Sequence, residues 1–235
     1  YLNTSDYHQS EYVPEYFKTI AYFSGFTGSL ATFLVEGEKA YLFVDGRYHV
    51  QAERQCEGTG IEIVKLGTKD ALKPLEFIQK YYAGKVIGLD GKRTSIRFAR
   101  DLEKIGVSLE SRDIYSSLIE NRNPLGKDRI YELSQTYTGL SRKKKLEIAK
   151  KVTGSRVHII NNLESIAYLL NLRSNDVLYT PVFLSYMVIA DEKVYLFVDD
   201  QRLSIDLLEK LKQEGVIVLP YESYYDFLKN ICQIE

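Results

Sequence analysis

Four short stretches of this 235-residue chain hold the side chains most able to do chemistry. Ser5-Asp6-Tyr7-His8-Gln9-Ser10-Glu11-Tyr12 sets hydroxyls, an imidazole and carboxylates close together, the groups of a proton-transfer triad. A triad converges in space from separate segments, however, so closeness along the chain does not argue for one. The stretch reads as a polar loop after a strand, or as a loop that touches a substrate or a subunit, because α/β proteins place ligands at strand ends. Gly25-Phe26-Thr27-Gly28-Ser29 is bracketed by glycines, which suit a tight turn or a close backbone approach. In Asp45-Gly46-Arg47-Tyr48, Arg47 offers a planar fork suited to a carboxylate, or the stretch is a turn into a helix closed by an internal ion pair. Arg142-Lys143-Lys144-Lys145, with Lys150 and Lys151, suggests phosphate binding. On a helix that also carries Leu146 and Ala149, it reads instead as a solvated face.

Beyond these stretches the chain is poor in catalytic residue types. Of three histidines, His49 falls in a helix and reads as packed or exposed, and His158, inside an apolar strand, reads as a core or sheet-face residue. Neither HExxH, GxSxG, CxxC nor GxGxxG occurs. Gly91-Lys92 resembles the end of a phosphate loop, but Val86 stands at its first glycine and Arg93 at its Ser or Thr. Cys56 and Cys232 make neither a disulfide framework nor a zinc site, which points to a reducing, cytoplasmic compartment. With 31 basic and 32 acidic residues there is no global attraction to nucleic acid or anionic membrane. No apolar run approaches the roughly 18 residues of a membrane span. The 19 tyrosines read as packing aromatics in a chain without Trp.

The elements that must position these groups repeat. Thr19-Ile20-Ala21-Tyr22-Phe23 returns as Ser165-Ile166-Ala167-Tyr168-Leu169, and Glu38-Lys39-Ala40-Tyr41-Leu42-Phe43-Val44-Asp45 as Glu192-Lys193-Val194-Tyr195-Leu196-Phe197-Val198-Asp199. The second copy holds about eight extra residues between the two blocks, in the stretch Arg173 to Pro181. In the first copy, residues 31–36 and 39–44 flank Gly37 as a hairpin, residues 47–57 read as a helix and 61–66 as a strand. A helical stripe through Leu72, Leu75, Ile78 and Tyr82 follows, then a strand over 86–90 and a helix capped by Thr94 or Ser95. In the second copy Ser141 caps a helix that ends near Gly154. A strand over 157–160, a helix over 163–170, a hairpin within 182–199, a helix over 202–214, a strand over 216–219 and a last helix from Glu222 complete it. Strands alternating with helices around a hairpin predict two mixed sheets covered by helices, the α/β class. The polar, turn-rich stretch Asn121–Asp128 reads as the linker, giving domains over 1–120 and 129–235. The first copy lacks the second's opening helix and the second lacks an equivalent of Val86–Leu109, so the expectation is a piece of a longer protein.

Tyr22-Phe23-Ser24-Gly25-Phe26-Thr27-Gly28-Ser29 followed by Phe43-Val44-Asp45-Gly46-Arg47-Tyr48-His49-Val50-Gln51-Ala52-Glu53 resembles the N-terminal domain of the Xaa-Pro aminopeptidase (aminopeptidase P) family, as does Ser5–Tyr12. Ile166-Ala167-Tyr168-Leu169-Leu170-Asn171-Leu172-Arg173 and Pro181-Val182-Phe183-Leu184-Ser185-Tyr186 resemble the second domain of its three-domain type. One departure is the family's usual Trp after the first domain, where Ser116-Ser117-Leu118-Ile119 stands. The resemblance implies two tandem creatinase/prolidase N-terminal-like domains. In the parent enzyme a further C-terminal domain would hold two divalent metal ions, manganese being the expected kind, on two Asp, one His and two Glu. None of the histidines here lies in a matching motif, so this region by itself is expected to bind no metal or cofactor and to be inactive. The parent would remove an N-terminal residue that precedes proline, using a metal-activated water.

For this region the resemblance implies homodimer assembly and a border to the substrate cleft, with His8, Glu11 and Arg47 as the border residues. Glu11 would meet a peptide's free amine, and Arg47 a carboxylate or a partner's acid. No nucleic acid or membrane partner is expected. A free-standing binding module with the same fold and no peptidase is the alternative.

Overall fold

The computed structural model describes residues 1–111, 113 and 117–232, and the chain divides into two units, Tyr1–Asn123 and Pro124–Glu235. Ser116 lies outside the described residues, as does the side chain of Cys232.

The first unit is built on a four-stranded sheet in the order β1 (Leu2–Asn3), β2 (Thr32–Glu36), β3 (Lys39–Val44), β4 (Glu62–Lys65). β2 and β3 form the expected antiparallel hairpin, Thr32 opposite Phe43 and Glu36 opposite Lys39, and Gly37 turns it at φ 56°. β4 pairs parallel to β3, which requires a crossover, and α2 (His49–Gln55) supplies it. Alternation along each strand divides the sheet between two cores. Phe33, Leu42 and Val44 pack on one face with Ile20 of α1 (Thr19–Ser24) and Ala52 of α2. Leu34 and Phe43 pack on the other with Ile78 and Tyr82 of α3 (Pro74–Tyr82) and Leu102 of α4 (Ile96–Lys104). A separate parallel pair, β5 (Val86–Leu89) and β6 (Ser108–Ser111), flanks α4, whose N-cap is Ser95, accepting from the Phe98 N–H.

The second unit repeats this plan. Its sheet runs β8 (Val157–Ile160), β10 (Tyr186–Ala190), β11 (Lys193–Phe197), β12 (Val216–Leu219), again two antiparallel pairings followed by a parallel one. All five residues of β10 are buried, as a central strand covered on both faces requires. α7 (Leu163–Leu170), capped by Asn162, occupies the place of α1, and α8 (Ile205–Gln213) that of α2. α9 (Tyr224–Cys232) covers one face: Tyr224 stacks on Tyr186 at 3.8 Å and Phe227 meets Phe197 at 5.1 Å. Ahead of this core come β7 (Tyr131–Glu132), α5 (Gln135–Thr138) and α6 (Arg142–Thr153), and β7 pairs with β9 (Leu172–Arg173).

Three sequence expectations shift. The helix read from Arg202 begins at Ile205 because Ser204 caps it, and Asp200–Arg202 is a separate 3-10 turn. Helix α2 starts at His49, since Asp45–Tyr48 forms a turn. The basic run at the start of α6 is only half solvated. Arg142 and Lys145, three residues apart, share the inner face, while Lys143 and Lys144 point outward. Buried Arg142 donates to Glu132 (2.7 Å), Glu214 (2.6 Å) and the Leu170 carbonyl (2.6 Å). Lys145 Nζ reaches Asn171 Oδ1 at 2.7 Å and the Tyr168 carbonyl at 2.9 Å. Burial, then the charge of Arg173, lowers the Lys145 pKa.

Candidate functional site

The most elaborate polar structure in the first unit is the loop that follows β1. Asp6 is fully buried, and its Oδ1 accepts the backbone N–H groups of His8 and Ser10, both at 2.9 Å. Among the described residues its Oδ2 takes no hydrogen bond. The loop therefore folds around a carboxylate, with Gln9 in the left-handed region at φ 57°. His8 turns inward and is 4% exposed, whereas Glu11 and Tyr12 stand in solvent.

Arg93 anchors this loop from the turn after β5. Its guanidinium is 3% exposed and donates to the carbonyls of Asn3 (3.0 Å), Ser5 (2.6 Å) and Phe17 (2.9 Å) and to Thr19 Oγ1 (2.9 Å). Its own carbonyl accepts from the side chains of Asn3 and Gln9. Five N–H groups in one plane let a single arginine satisfy several backbone carbonyls at once. Nearby Asp90 is also buried, and burial raises its pKa against the opposing pull of the Lys92 N–H and the Arg93 charge. From sequence alone Arg93 reads only as a misfit to a phosphate loop. Its partners lie 74 to 90 positions away, and no local pattern signals them.

A second polar surface gathers at the carboxyl end of β3. Arg47 grips Asp45 with Nε (3.0 Å to Oδ1) and Nη2 (2.8 Å to Oδ2), and the Arg47 backbone N–H adds a third bond at 3.0 Å. These bonds hold the Asp45 carboxyl below its ordinary pKa and raise that of Arg47. Arg47 is exposed and Asp45 half-buried at the surface, so the pair orients Arg47 and adds little to stability. Behind it Tyr48 packs edge-on to buried Phe26 and bonds Ser29 Oγ at 2.6 Å. Thr27 is tied to α2 through Gln51 (3.1 Å) and Gln55 (2.9 and 3.0 Å). Gly28 is needed here because a Cβ would sit 2.7 Å from Phe26 Cε1 and 2.9 Å from Tyr48 Cδ1.

Of the three expected border residues, Glu11 and Arg47 present charge to solvent and His8 does not. Tyr12, next to Glu11, lies within electrostatic reach of Arg47. His49 is tied to the Leu66 carbonyl at 3.2 Å and His158 lies on β8. Among the described residues no three His, Cys, Asp or Glu side chains gather as a metal site, and Cys56 is a free, buried thiol. No described helix is long and apolar enough to cross a membrane.

Residues 12–120 and 121–235 each match a family model described as the creatinase/prolidase N-terminal domain. The chain belongs to that family, in two copies. Both creatinase/prolidase N-terminal domains are mixed sheets flanked by helices. They are similar over 98% of the chain, at 31% identity, to Aminopeptidase P2 of Arabidopsis thaliana, and over 94%, at 30%, to Xaa-Pro aminopeptidase ApepP of Drosophila melanogaster. Among solved structures, the X-prolyl aminopeptidase of Caenorhabditis elegans, described as a cytosolic enzyme with a di-nuclear active site, matches 99% of the chain with a TM-score of 0.91 and 26% identity. The chain spans 34%, 38% and 39% of these three proteins.

Proposed function

We propose that this chain is the non-catalytic N-terminal region of a metal-dependent Xaa-Pro aminopeptidase, serving homodimer assembly and bordering the substrate cleft. The observation that carries the reading is the likeness to the nematode X-prolyl aminopeptidase, which runs through both domains at once. The parent enzyme would release the N-terminal residue from peptides with proline in second position. Its two divalent metal ions, manganese being the expected kind, would lie in sequence beyond this chain and activate the attacking water. A cytoplasmic location belongs to the same reading, supported by the sparse cysteines and by the cytosolic description of the nematode enzyme.

In this reading Arg47 is the border residue with the best-defined geometry. Asp45 holds its fork in place while leaving it open to solvent, where a second carboxylate can share it. Exposed Glu11 would meet a peptide's amine, and buried His8 would shape the loop that carries Glu11. Steady-state kinetics of the full-length enzyme with Arg47→Ala test this. The expected result is a KM raised by about tenfold, the kinetic equivalent of one lost charged contact, or a weakened dimer. Unchanged kinetics together with unchanged dimerisation would overturn the border role.

A further inference from the structure

The second unit holds a cavity of about 360 Å³ at the carboxyl ends of the parallel strands β11 and β12. Open α/β sheets bind ligands in this crevice, and the volume is within the range of small-molecule sites. Its apolar lining includes Leu125, Leu184, Val198 and Tyr221. Its charged lining is Asp199, Asp200 and Glu222, together with Arg202.

Two observations define what would fit. The first comes from the internal duplication, in which Asp45, Gly46 and Arg47 stand where Asp199, Asp200 and Gln201 stand in the second copy. Arg47 neutralises Asp45 in the first unit. In the second unit glutamine replaces that arginine and a further aspartate replaces the glycine. Asp199, Asp200 and Glu222 consequently form no ion pair among the described residues. The same strand end is charge-balanced in one copy and anionic in the other.

The second observation is Arg202, which is 6% exposed. Its charge is answered by Asp176 through bonds of 2.9 and 2.5 Å, and it also donates to the Asp128 carbonyl (2.9 Å) and Ser174 Oγ (3.2 Å). These use four of the five N–H groups of a guanidinium, and one on Nη1 has no acceptor among the described residues. Arg202 also lines the crevice, so an acceptor placed there can take up that remaining N–H.

We propose that this crevice binds a small ammonium compound with a compact apolar body and a carbonyl oxygen. The ammonium meets the three carboxylates, the apolar body lies on Leu184 and Val198, and the carbonyl oxygen accepts from Arg202. L-Leucinamide has all three features, and N-acetyl-L-leucinamide differs by losing the charge. Calorimetric titration of the whole chain, with amide NMR shifts at Gly126, Val198 and Tyr221 to locate the site, tests the proposal. Leucinamide is expected to bind saturably and at least about tenfold more tightly than its acetylated form. Asp200→Asn with Glu222→Gln should remove that preference. Gln201→Arg, which restores the charge pairing of the first copy, should weaken leucinamide as well. All three positions are exposed, so the fold should tolerate the changes. Equal binding of the two probes, no saturable binding, or shifts confined to other residues would overturn the proposal, and the two-probe comparison on the unaltered chain does so without any variant.

Discussion

The two units share a strand order and differ in how each ties down the backbone outside its sheet. In the first, Arg93 reaches from the turn after β5 and donates to uncharged oxygens of residues 3 to 19. In the second, Arg202 reaches from the turn after β11 and binds residues 128, 174 and 176, one of them a buried carboxylate. Duplication kept the sheet and reinvented the clasp. A ladder satisfies its own backbone, whereas each connecting segment needs donors of its own, and a buried guanidinium supplies several at once.

The largest way to break this comparison is Arg202→Ala. It leaves the Asp176 carboxylate, 1% exposed, buried without its cation. Burial already raises the Asp176 pKa, so the loss should reach about 3–5 kcal/mol in urea unfolding of the whole chain. Adding Asp176→Asn should recover part of it. A loss under about 1 kcal/mol would mean that the pair does not hold the clasp.

A middle-sized effect is expected at Gly28, which belongs to a loop with no counterpart of the same sequence in the second copy. Gly28→Ala presses a methyl against Phe26 and Tyr48 and should cost about 1–3 kcal/mol, read as a lowered urea midpoint. An unchanged midpoint would show the loop yielding freely.

The smallest effect separates the two hairpin turns. The first places Gly37 at positive φ, whereas the second places Asp191 and Glu192 there, at 46° and 66°. Glu192→Gly should therefore stabilise the chain by about 1 kcal/mol at most, while Gly37→Ala should destabilise it. Calorimetric melting of both variants distinguishes these opposite signs.

Much of the scaffold was readable from local pattern. The helix over 163–170, the strand over 216–219 and the Ser141 cap coincide with the structure, and both hairpins lie where alternation places them. The two-residue strands β7 and β9 escaped because a pairing that short has no periodicity of its own. Within the candidate site, the Asp45–Arg47 pair was legible as a two-residue neighbour relation. The inward turn of His8 was not, because it depends on Asp6 folding the loop beneath it.

By itself, the sequence determined the duplication, the α/β class and which side chains carry charge, because periodicity, caps and turns act over a few residues. Only the tertiary structure decided which of those charges are spent inside the fold and which stay exposed to solvent. Arg93 and Arg142 are spoken for by oxygens brought from distant segments and the charge of Arg202 is held by Asp176, while Arg47, Asp199 and Asp200 face outward. Burial and long-range partners set that division, and neither is a property of neighbours along the chain.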